Sequence, residues 1–183
     1  MNKPRKQPAQ PLDPLSLYMN AERFRIADNY MRTSGNSDPY LMSIIGVPCL
    51  VVSAFAIELY LKCLLCIETG SAPQTHNLKA LFCDLSHSTQ ARIENLWLDD
   101  ANRPENRAMR KIVENNTGQA PPVDFISSLE SGSEAFIRLR YLHENAAPKV
   151  SFFLAALPTI LHNIILEIRP EWKTVCHAPP TPH

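Results

Sequence analysis

VVSAFAIELYLKCLLCIETG, residues 51–70, is the stretch that decides the fold class of this chain. Apolar side chains cover most sides of the helix it would form, interrupted by Glu58 and Lys62. A helix that is apolar nearly all round has to be enclosed by other elements, so this one belongs at the centre of a helical bundle. Pro48, of a type favoured in the first helical turn, marks its expected start. Gly70, suited to the left-handed position after a helix, marks its end.

On the N-terminal side, Leu17, Phe24, Ala27 and Met31 recur at helical spacing and predict a helix over about 16–31. A loop holding Gly35, Asn36 and Pro39 follows. On the C-terminal side, a short helix follows His76 and Asn77 through LKALFCDL, and a polar helix spans about 88–115 with a break available at Pro104. Another covers about 123–145, starting near Pro122 or Asp124 and open to interruption at Ser131 and Gly132. The last runs over about 150–168, kinked at Pro158. Residues 1–14, with four prolines, read as a disordered arm, and residues 171–183 as a flexible tail in which Trp172 alone has reason to dock on the body. With only 5 glycines and no alternating β-branched runs, hairpins are not expected. The expectation is all-α: one domain over residues 15–170, an up-and-down bundle of five to six helices.

Lys+Arg and Asp+Glu both number 18, so the formal net charge is zero and nothing draws the whole molecule to nucleic acid or to an anionic membrane. A local patch would have to do so. The cluster Arg103, Arg107, Arg110 and Lys111 is mixed with Glu105 and Glu114 and reads as a solvated face. Two apolar stretches, 44–67 and 150–168, carry Glu58 and Lys62 in the one and His162, Asn163 and Glu167 in the other; both are expected to be core helices rather than membrane spans. The opening MNKPRKQPAQPLDP has no apolar run behind its basic residues, so a cytoplasmic protein with free thiols is expected rather than a secreted one. Cys63 and Cys66 have CxxC spacing but lie inside LKCLLCI, with no second pair, and read as small core side chains. No metal or cofactor is expected.

The segment SAFAIELYLKCLLCIETG followed by THNLKALF resembles the HEPN family of small helical proteins. That family carries a run of the form A-x-E-L-x-L-K-x-L-L, then Gly, then His-Asn-Leu or His-Asp-Leu opening the next helix. The matching residues are Ala56, Glu58, Leu59, Leu61, Lys62, Leu64, Leu65, Gly70, His76, Asn77 and Leu78. The resemblance is strongest over residues 47–82 and continues more weakly over 134–168. It implies metal-independent ribonuclease activity in those members with an Arg-x4–6-His motif. This chain has that spacing in Arg138-Leu-Arg-Tyr-Leu-His143.

The chemistry suits the pair. Cleavage through the RNA 2′-hydroxyl needs an acid or base that titrates near neutrality, which histidine supplies. It also needs a cation on the scissile phosphate, which arginine supplies in fork geometry. Five residues along a regular helix separate two side chains by about 140°, so Arg138 joins His143 only through a kink or across a dimer interface. Arg140 and His143, three apart, share a face. In a second alignment Arg140, Tyr141 and Glu144 are the family positions, matching relatives that read R-Y-x-Y-E, and Leu139 stands where active members carry a polar residue.

Each of these residues has a structural reading beside the functional one. Glu58 and Lys62 form an i,i+4 pair in the favoured order, or Glu58 is partly buried against Arg138 or Arg140. His143 stabilises the bundle or an interface. His76 starts the third helix or bonds across its loop, and His162 packs in an apolar helix. The resemblance thus implies either a homodimeric endoribonuclease of toxin or defence type, with an antitoxin or nucleotidyltransferase-like partner, or a non-catalytic module for dimerisation or for nucleotide or protein binding.

Overall fold

A computed structural model describes residues 12–139, 154 and 156–174. These residues are all-α: seven α-helices and one 3-10 turn, without a strand among them. The elements are α1 (Pro14–Asn36), α2 (Pro39–Thr69), α3 (Leu78–Cys83), α4 (His87–Ala101), α5 (Pro104–Thr117), α6 (Phe125–Leu139) and α7 (Leu157–Ile168), then the turn Pro170–Lys173.

Local signals explain most boundaries, including those that differ from expectation. Helix α1 starts at residue 14 because the Asp13 side chain accepts from the amides of Leu15 and Ser16, with Pro14 in the first turn. The same Asp-Pro device recurs at Asp38-Pro39, where Asp38 accepts from the amides of Tyr40 and Leu41. So α2 begins at Pro39 and not near Pro48. The expected loop over 35–39 shrinks to Ser37 and Asp38, and Pro48 lies inside a helix of 31 residues. Gly70 ends α2 with φ +80, the left-handed conformation that a Cβ disfavours. Asn77 caps α3 by accepting from the Ala80 amide. The polar segment divides at Pro104 into α4 and α5, which raises the helix count above five to six. Helix α6 passes through Ser131 and Gly132 without a break. Helix α7 starts at Leu157, so Pro158 sits in its first turn instead of kinking a longer helix.

Helix α2 is the centre of the structure, packing against α1, α3, α6 and α7. Ala56, Ile57, Tyr60, Leu61, Cys63 and Leu64 are buried, while the flank carrying Phe55, Leu59 and Lys62 is half-buried. On α1 Tyr18, Ala21, Glu22 and Asp28 are buried; of the expected apolar positions, Leu17 and Phe24 pack half-buried against the core, Met31 is half-buried and Ala27 is exposed. Trp172 does dock, its ring centroid 5.3 Å from that of Tyr18. Each large apolar side chain fully buried in this way contributes about 1.5–3 kcal/mol.

Five contacts fix how α3 and α6 lie on α2. Ser86 donates its amide to Glu68 at 2.8 Å, while His76 reaches Glu58, so α3 runs parallel to α2. Going along α6, Phe125 meets Phe82, Glu130 meets Lys79, and Ser133 Oγ accepts from the Leu78 amide at 2.9 Å. Helix α6 is therefore antiparallel to α3 and to α2.

By length and composition α2 could cross a membrane over Tyr40–Thr69. Its second half is enclosed by protein from Ser53 to Cys66, apart from one flank, whereas Tyr40, Ile44 and Val47 in its first half are exposed.

Candidate functional site

Two polar clusters flank α2. Glu58 and Tyr60 are two residues apart, about 200° round a helix, so the clusters lie on opposite sides of it.

On the α3–α6 side, Glu58 is 2% exposed, and a carboxylate so buried requires partners. Lys62 Nζ lies 2.7 Å from Oε1, and His76 Nδ1 lies 3.0 Å from both carboxylate oxygens. The i,i+4 pair predicted from sequence is present, and His76 adds a tie from the loop that leads into α3. His76 is mostly exposed. Its contact with Glu58 pins residues 70–77 back along α2, and the next residues form the Asn77 cap. The matched residues thus do structural work: Leu61, Leu64, Leu65 and Leu78 fill the core, Gly70 and Asn77 terminate helices, and Glu58 holds the loop.

Helix α6 carries the backbone of Arg138 about 7 Å beyond Ser133 at 1.5 Å per residue, toward the N-terminal half of α2. The side chain of Arg138, and the whole of Arg140, His143 and Glu144, lie outside the described residues.

The second cluster lies between α1, α2 and α7. Glu22 is 4% exposed. Arg25 donates Nε to its Oε1 at 3.0 Å and Nη2 to its Oε2 at 2.7 Å. The Tyr60 hydroxyl donates to Oε1, and His162 Nδ1 lies 2.6 Å from the same oxygen. The Tyr18 hydroxyl lies 3.2 Å from His162 Nδ1, and the two rings stack with centroids 5.9 Å apart. Burial pushes the Glu22 carboxyl up, but hydrogen bonds from His162, Arg25 and Tyr60 outweigh it and bring it down to about 2. The same hydrogen bonds hold Arg25 more firmly protonated, and burial followed by the Glu22 charge raises the Tyr60 phenol. Beside this cluster opens a cavity of about 460 Å3, within the range of small-molecule sites.

Sequence reasoning missed this cluster and took His162 as a packing residue. The signal was present in α1, where Glu22 and Asp28 share the buried face with Tyr18 and Ala21 and are answered one turn on by Arg25 and Arg32. Acidic residues on an apolar helix face imply buried partners.

Elsewhere, Arg103, Arg107 and Lys111 are exposed, and Arg103 lies 3.4 Å from Asp100, as a solvated face would have it. Cys49, Cys63 and Cys66 are buried free thiols. Burial pushes Cys63 up to about 12, which leaves it protonated and unreactive. Among the described residues no group of three His, Cys, Asp or Glu side chains could hold a metal ion. No protein-family model matches the chain, and no curated protein or solved structure matches it.

Proposed function

We propose that this chain is a HEPN-like, RNA-directed protein of the cytoplasm, a homodimer of toxin or defence type that cleaves RNA without metal. Arg138 and His143 are its working pair, with Arg140 and Glu144 beside them. Histidine removes the 2′-hydroxyl proton as that oxygen attacks the adjacent phosphorus, and returns a proton to the leaving 5′-oxygen. Arginine neutralises the charge building on the phosphoryl oxygens. The observation that carries this reading is the path of α6, which packs on α2 and α3 and takes the Arg138 backbone past the Glu58–Lys62–His76 cluster formed by the resembling residues. An antitoxin or nucleotidyltransferase-like protein is the corresponding partner.

A second reading is the same bundle used without catalysis, for dimerisation or for binding a nucleotide or protein. The mutual pairing of Glu58, Lys62 and His76 favours it, since these residues are occupied in holding the fold. The distinguishing measurement is cleavage of a labelled RNA pool in excess EDTA by wild type, His143→Ala and Arg138→Ala. Cleavage by wild type that falls at least about 100-fold in both variants, within the usual contribution of general acid–base groups, supports the nuclease. Absence of cleavage by folded wild type overturns it and leaves the binding module.

The homodimer has its own support. Tyr30 and Tyr40 are each 75% exposed and Ile44 is 56% exposed, an apolar stripe on the α1–α2 hairpin that a second copy would cover. Sedimentation at micromolar concentration is expected to give twice the chain mass, and Ile44→Glu to return the monomer. A monomeric wild type would remove any composite site between subunits.

A further inference from the structure

The cavity between α1, α2 and α7 lies across α2 from the Glu58 cluster, and its chemistry does not depend on Arg138 or His143. An ionised carboxylate only accepts hydrogen bonds, so the 2.6 Å contact with Glu22 places the ring proton of His162 on Nδ1. The neutral ring then carries its lone pair on Nε2. Among the described residues Nε2 has no hydrogen-bond partner, yet it is not a buried orphan, so it opens to the cavity that His162 lines. Glu22 is itself 4% exposed and held by Arg25 and Tyr60, which fixes the ring from behind. An imidazole oriented by a carboxylate, with its lone pair facing an accessible cavity, has the geometry of a general base. The rest of the lining decides what such a base acts on. A lone pair gives an anion nothing to bind; it calls for a partner with a proton to lose, of which water is the smallest. Lys173 lines the same cavity without an ion pair among the described residues. Its charge favours a substrate that is neutral when bound and becomes negative during reaction. Ile26 and Leu166 supply apolar walls, and the volume of about 460 Å3 suits a small molecule. Together these features fit the addition of water to a neutral carbonyl, and an ester carbonyl is more electrophilic than an amide.

We propose that this cavity hydrolyses small carboxylic esters with an apolar body, His162 acting as the general base and Lys173 as the cation on the carbonyl oxygen. Nε2 takes a proton from water as the water oxygen bonds to the ester carbon, and the carbonyl oxygen receives the displaced electron pair beside Lys173. The ester C–O bond then breaks, and the imidazolium returns its proton to the departing oxygen. The products are a carboxylic acid and an alcohol, with His162 neutral again. Glu22 is a positioning residue that holds the ring and answers its transient charge, and Tyr18 supports the ring face.

The test is turnover of p-nitrophenyl butyrate by the purified full chain, with p-nitrophenyl phosphate beside it. Many turnovers per chain, saturating with substrate, are expected for the ester and none for the phosphate. His162→Gln keeps an amide donor for Glu22 and is expected to lower kcat at least about 100-fold, the usual contribution of a general base. Lys173→Met is expected to lower kcat at least about ten-fold with KM little changed, as loss of a charge that acts in the transition state does. Glu22→Gln is expected to lower kcat at least about ten-fold, the minimum for an imidazole that loses its carboxylate, again with KM held; a purely structural role would not split the two constants. Ile26→Trp fills the mouth and is expected to raise KM instead. Should His162→Gln not fold, Lys173→Met and Ile26→Trp decide alone, since both are at exposed positions. Acylation that stops at one event per chain overturns the site. Equal hydrolysis of the phosphate, or turnover unchanged in the His162 and Lys173 variants, also overturns it.

Discussion

Glu22→Ala is expected to lower the free energy of unfolding by about 3–5 kcal/mol, the cost of removing one member of a buried, hydrogen-bonded pair. One carboxylate satisfies Arg25 from its own helix, Tyr60 from α2 and His162 from α7. Taking it away strands a phenol at a fully buried residue and a guanidinium that has lost its counter-charge. Glu22→Gln keeps an acceptor for Tyr60 and is expected to cost less. Urea denaturation at pH 7 measures both. A loss under about 0.5 kcal/mol for Glu22→Ala, the size typical of exposed positions, would mean that the three partners find water instead.

The same group gives the molecule a defined acid response. Its folded carboxyl sits at about 2 against an ordinary 4.5, so between those values the unfolded chain takes up a proton that the folded protein refuses. The stability contributed is complete above about pH 4.5 and is lost as pH falls toward 2. At about 1.4 kcal/mol per unit the loss is up to roughly 3 kcal/mol. In Glu22→Gln this part of the pH dependence disappears, so wild-type and variant stabilities are expected to converge as the pH drops through that window.

The central helix was legible because so apolar a sequence over residues 51–70 has to be largely enclosed by other elements. Its start was not, because Asp38-Pro39 and Pro48 carry the same helix-start residue and composition alone does not rank them. What decides is the Asp38 cap and the surface position of Pro48. Pro48 removes a hydrogen bond to the carbonyl of Ile44, and Ile44 itself is exposed, so water can take its place. On α1, counting only apolar residues caught Leu17 and Phe24, which pack half-buried against the core, but drew the face through the exposed Ala27 and passed over the buried Glu22 and Asp28. The Glu22–His162 contact joins residues 140 positions apart, and no local pattern encodes that separation. Glu58, by contrast, was legible as a paired carboxylate because Lys62 lies one turn away on the same helix; a bond from His76 across its loop was also expected, but not that Glu58 would be its partner.

That difference shapes the second large effect. Glu58→Ala is expected to cost about 3 kcal/mol, by the same argument of a buried pair broken on one side. Lys62 is left with its stem enclosed and its charge unanswered, and His76 loses both oxygens that hold it. His76→Ala alone removes a mostly exposed partner and is expected to cost under about 1 kcal/mol, near the upper end for exposed ion pairs. The two variants also differ in where the structure loosens. Without Glu58, residues 70–77 lose their tie to α2. The Leu78 amide, which Ser133 accepts from, then loses its fixed position, so the seat of α6 is weakened from the α3 side. Amide exchange is therefore expected to rise in α3 and in the second half of α6 before it rises in α1 or α7, which the Glu22 cluster holds independently. Uniform loosening, or a stability change below about 0.5 kcal/mol, would show that Glu58 does not organise that side of the bundle. In that event the resembling residues would mark a helix surface and nothing more. The path of α6, on which the ribonuclease reading depends, would then rest on apolar packing alone.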